Sequence, residues 1–148
     1  MTTARVRASD LRPVSVQSQV REGETARGLA TYGAETVTVT LQEQGATREV
    51  TIPLPDPPFY DNEELIFVLR TLPFEVGWAG VLRDVVTQQG QTAEVEVKVT
   101  GREHVTVAAG DYDCWVVEMP LFEQTAWIAA DSPHQVVLYL NCTVALLP

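Results

Sequence analysis

With 148 residues, 45% of them hydrophobic and 20% charged, the chain has the composition of an ordered domain and not of a disordered tail. Its net charge of −10, with 10 cationic residues scattered singly, argues against nucleic acid and disfavours an anionic membrane surface, since each requires a basic face. No apolar run approaches the roughly 20 residues that cross a bilayer as a helix, and Met1–Arg5 lack the basic start and apolar core of a secretion signal.

The length predicts a single domain over 1–148 with a core of its own. The acidic balance favours a protein that stays dissolved and separate. Nine of the ten cations are Arg and one is Lys98, which codon composition explains as well as physics does.

From the N-terminus the pattern alternates with period two, the signature of strands with one wet and one buried face. Val14–Gln17 leads to a turn at Glu22-Gly23-Glu24, and Leu29–Tyr32 to a turn at Gly33-Ala34. Thr36–Leu41 sets valines and leucine against threonines, and Gln44-Gly45 turns the chain into Arg48–Ile52. Pro53-Leu54-Pro55-Asp56-Pro57-Pro58 then stops the sheet, because proline cannot donate to a ladder.

The spacing predicts one helix, over 61–72. Asp61 is its N-cap, Glu64 completes a capping-box-like pair, and Pro73 ends it. Leu65, Ile66, Phe67, Val68, Leu69 and Leu72 cover most of its circumference, so the helix is expected to be buried on a sheet.

Strands resume at Val81–Thr87, turn at Gln88–Gln91, and continue through Ala93–Thr100, where valines alternate with Glu94, Glu96 and Lys98. Gly101-Arg102 bends the chain into Glu103–Val107, and Ala109–Tyr112 turns it into Asp113–Met119. Thr125–Ala130 and Gln135–Asn141 follow across Asp131-Ser132-Pro133, and Cys142–Leu147 closes the sheet. The expected fold class is mainly β: a curved antiparallel sheet, half-barrel or barrel, of about ten strands with one buried helix.

Motifs for chemistry are sparse. Asp131-Ser132-Pro133-His134 holds triad residue types in adjacent positions, whereas a working triad is assembled from separate elements, so it reads as a turn. His104 lies in another strand, with no nucleophile beside it. Asp111 and Asp113 are too few for calcium, and Cys114 and Cys142 too few for zinc. Both cysteines sit in apolar strands and are expected to be unpaired core thiols, although a disulfide would be open to them in an oxidising compartment. Asn141-Cys142-Thr143 matches a glycosylation pattern, to which a position in a strand gives no weight. No catalytic residue, metal ligand or cofactor is assigned.

Three segments together carry a resemblance. Phe59-Tyr60-Asp61-Asn62 with Leu69-Arg70-Thr71-Leu72-Pro73 is similar to the "YDN…LRxLP" segment of a bacterial domain of unknown function found in cell-envelope proteins. Val99–Tyr112 resembles that family's "xGxExVxVPAGxF" hairpin, and Thr125–Pro133 its "WxSxDxP" strand and turn. The likeness runs from Leu11 to Leu140. It implies a β half-barrel around a helix, like the periplasmic carriers that shuttle lipoproteins, and no enzymatic activity. It also implies a periplasmic or envelope location if a leader was trimmed, the alternative being the cytoplasm. Usual members carry extra strands before the position of Leu11, so the chain is either a fragment or a short variant. Ala108 stands where the family often has proline.

The ligand-binding residues expected on this reading are Tyr60, Phe67, Arg70, Trp115 and Trp127, lining an apolar pocket between the helix and the late strands. Asp61 and Glu103 are given structural roles, with Glu103 as the carboxylate that meets Arg70. The expected partner is a hydrophobic or lipid-like molecule, with no nucleic acid and no integral membrane segment. Two alternatives are a small β-barrel enzyme of cyclase type acting on a hydrophobic substrate, and a purely structural or interaction module.

Overall fold

The computed structural model describes residues 2–19, 27–43, 45–140 and 144–145. The fold class is the expected one: mainly β, with largely antiparallel sheets and one short helix. The strands are β1 (Thr2–Val6), β2 (Pro13–Gln19), β3 (Arg27–Tyr32), β4 (Thr36–Glu43), β5 (Ala46–Pro53), β6 (Tyr60–Asp61), β7 (Ala79–Val86), β8 (Gln91–Val107), β9 (Gly110–Met119), β10 (Gln124–Ala129), β11 (Val136–Leu140) and β12 (Val144–Ala145). β1 to β5 form a five-stranded meander in chain order, and a seven-stranded sheet has the order β12-β11-β10-β9-β8-β7-β6. The expected turn at Glu22–Glu24, Gln44 and Cys142 lie outside the described residues.

The chain gathers into two compact units, one of residues 1–65 and 83–94 and the other of 66–82 and 95–148. In the first unit the alternation places Val37 and Val39 inward from β4, where they join Val16, Ala30, Ile52, Phe59 and Val85 in one apolar cluster. Gly90 takes a positive φ of 70° at the β7–β8 turn, a conformation that glycine adopts without steric penalty.

In the second unit Val95, Val97 and Val99 of β8 are buried, while Glu96 between them is exposed. The bend expected at Gly101 is a β-bulge: β8 runs on through it, and the register with β9 shifts between Val99 and Gly101. The sheet buries residues on both faces, because Val116 and Val117 are adjacent in β9 and both are enclosed. One face adds Met119, Ala126 and Ile128; the other carries the cluster of Cys114, Ala129 and Val137, with Trp127 and Tyr112 packed against it.

The helix is shorter than the expected 61–72. It spans α1 (Leu65–Val68) and continues as a 3-10 turn over Leu69–Thr71. The capping-box pair is nevertheless formed: the Asp61 amide donates to Glu64 Oε1 at 2.9 Å, and Asp61 Oδ1 accepts from the Glu63 amide at 2.9 Å. The shortening falls at both ends: residues 62–64 form a turn after β6, which pairs in parallel with β7 through Tyr60↔Asp84 and Asp61↔Val85, and residues 69–71 tighten into the 3-10 geometry. Leu65, Val68, Leu69 and Leu72 are buried as expected, whereas Phe67 is 59% exposed.

Candidate functional site

The expected ligand residues fall in separate places. Tyr60 belongs to the first unit, where it is half-buried opposite Asp84. Phe67, Arg70, Trp115 and Trp127 belong to the second. Within that unit the β9–β10 register pairs Trp115 with Ile128, and Val116 with Trp127. Directly paired residues share a face and successive residues alternate, so the two indoles lie on opposite faces of the sheet. They are not brought together.

Each indole has its own setting. Trp127 donates its Nε1–H to Glu103 Oε2 at 2.7 Å. Trp115 stacks on Phe74, with ring centroids 5.9 Å apart and planes 14° from parallel. On Trp115 also lies the Arg102 guanidinium, 4.9 Å from the ring centroid, within cation–π range. Phe74 in turn meets the His134 ring at 4.8 Å.

Arg70 does not pair with Glu103, whose Oε2 accepts from Trp127. Its Nε donates to the His134 carbonyl and a terminal nitrogen donates to the Pro133 carbonyl, both at 2.8 Å. Those carbonyls are presented by the turn expected at Asp131–His134, closed by His134 N–H donating to the Asp131 carbonyl at 2.8 Å. His134 Nδ1–H donates to the Ala129 carbonyl at 3.0 Å, which orients the ring that Phe74 touches. Carbonyls orient a guanidinium without cancelling its charge.

Arg70, Phe74, His134, Trp115 and Arg102 thus form a continuous, partly exposed aromatic strip bounded by two cations. Sequence reasoning reached Arg70 and Trp115. It missed Phe74 and Arg102, which carry only a composition signal: an aromatic just past the helix stop and a lone arginine at a strand bend.

Beside the strip, a cleft of about 390 Å³ is lined by His104, Asp111, Tyr112, Asp113, Asp131 and Ser132 among others. Its walls are held by cross-strand pairs, His104 Nδ1 lying 3.1 Å from Asp113 Oδ1 and Thr106 Oγ1 donating to Asp111 Oδ1 at 2.6 Å. Among the described residues, no group of three or more His, Cys, Asp and Glu side chains is placed to hold a metal ion, and no helix is long and apolar enough to cross a membrane.

The chain matches a family model over residues 1–143, that of a protein of unknown function (DUF3108). The chain belongs to that DUF3108 family. Nothing among curated proteins or solved structures matches it.

Proposed function

We propose that this protein is a non-enzymatic, envelope-associated binding protein whose second unit holds an amphipathic ligand: an apolar or lipid-like body with an anionic group. The observation that carries this reading is the partly exposed Phe74–Trp115 stack flanked by the Arg102 and Arg70 guanidinia. Aromatic faces supply apolar area at little conformational cost, and the cations fix the polar end. Arg70 is preorganised by the Pro133 and His134 carbonyls, so little side-chain entropy remains to be lost on binding. The envelope location is supported by the segment resemblance.

Titrating oleate or anionic phospholipid vesicles while following tryptophan emission tests the proposal. The expected result is a saturable change that disappears in Trp115→Phe and weakens in Arg102→Ala. An unchanged emission for both probes would leave the interaction module as the better account of the fold. A saturable change that survives both substitutions would move binding away from this strip.

A further inference from the structure

The first unit contains a second concentration of chemistry that the aromatic strip does not use. Asp61 and Asp84 are 0% exposed and Glu64 is 3% exposed. Asp61 Oδ2 accepts from the Tyr32 hydroxyl at 2.5 Å and its Oδ1 from the Glu63 amide, while Glu64 Oε1 accepts from the Asp61 amide. Those bonds leave three buried oxygens without a partner: Glu64 Oε2 and both carboxyl oxygens of Asp84. Asp84 arrives from β7, a different element from the turn that carries Asp61 and Glu64, and its side chain is wholly enclosed.

A buried ionised carboxylate short of donors is costly, and the usual escape is to take up a proton; at Asp84 the Val85 amide offsets only part of that cost. The charges acting here make ionisation harder still. Glu64 feels Asp61 and Asp84, Asp84 feels Asp61, and Asp61 feels Glu63. From β3, Tyr32 faces all three buried acids, and Tyr60 faces Glu64 and Asp10. Glu63 is itself held by Gln88, a neutral donor, at 2.7 Å. The groups are not spaced to chelate a metal ion.

We propose that Tyr32, Asp61, Glu64 and Asp84 form a buried proton-binding site, in which Glu64 and Asp84 hold protons in the folded first unit and their ionisation loosens its packing. Burial, then neighbouring carboxylates, pushes both acids up to about 7 from ordinary values of 4.5 and 3.8. The folded state therefore retains protons that the unfolded chain releases. By linkage, the stabilisation is complete below about pH 4 and is lost as pH rises through about 7.

The test is thermal unfolding of the full chain from about pH 5 to about pH 8, beside carbon-13 carboxyl titration of the wild type. The expected result is a melting temperature that falls across this range, with two carboxyls titrating near neutrality. Asp84→Asn should raise the melting temperature at the alkaline end and flatten the slope, and Glu64→Gln should flatten it in part. If Asp84→Asn does not fold, Glu64→Gln and the wild-type titration still decide. Melting that ignores pH, a slope retained in both variants, or all carboxyls titrating in the ordinary acid range would overturn the proposal.

Discussion

Trp127 donates its indole N–H to Glu103 across the second unit's sheet, and that bond occupies the carboxylate oxygen that Arg70 was expected to meet. Arg70 turns instead to the carbonyls of Pro133 and His134. A double-mutant cycle separates the two partnerships. Arg70→Ala and Glu103→Ala should be additive within about 0.5 kcal/mol. Glu103→Ala and Trp127→Phe should couple by about 0.5–1.5 kcal/mol, the usual net worth of a hydrogen bond. Coupling in the first pair and none in the second would reverse the assignment.

Leu69 is 0% exposed in the 3-10 turn that follows α1. Truncating it removes transfer energy and leaves a cavity, so Leu69→Ala should cost about 2–5 kcal/mol in urea unfolding. Phe67, two residues earlier and 59% exposed, should tolerate alanine with a change within about 0.5 kcal/mol. Equal costs at the two positions would mean that the element is packed by a different face.

The Tyr32 hydroxyl donates to Asp61 Oδ2. Tyr32→Phe leaves that oxygen enclosed without its hydroxyl, at an expected cost of about 1–3 kcal/mol. Burial, followed by the Asp61 charge, holds the Tyr32 phenol far above the ordinary tyrosine range. Ultraviolet titration of the folded protein should therefore show no phenolate attributable to Tyr32 up to the alkaline limit of folding. A wild-type minus Tyr32→Phe difference spectrum with phenolate absorbance near pH 10 would contradict this.

Cys114 is fully enclosed, and burial, followed by the Asp113 charge, pushes its thiol up to about 11. The thiolate is the reactive form, so the native protein should resist alkylation at this residue at pH 8 and react promptly in denaturant. Mass mapping of the peptide that carries Cys114 reads the outcome. Rapid native labelling there would place the thiol at the surface.

Much of this protein was legible in local pattern. Alternation alone located β4 and the valines of β8, because a pleat sends successive side chains to opposite faces and only one of those faces was apolar. The Asp61–Glu64 cap was readable because both partners lie within one turn of chain, where spacing fixes geometry. The turn at Asp131–His134 was readable for the same reason. What the sequence could not decide depends on partners far along the chain. Whether Trp115 and Trp127 shared a face rested on strand register, and whether Arg70 met Glu103 rested on which neighbour reached that carboxylate first. The burial of Asp84, which local pattern gave no sign of, goes with the parallel pairing of β7 with β6, a contact between segments more than 20 residues apart. Local hydrogen bonds are written in residue order, but burial and electrostatic company are set by the elements that fold against them.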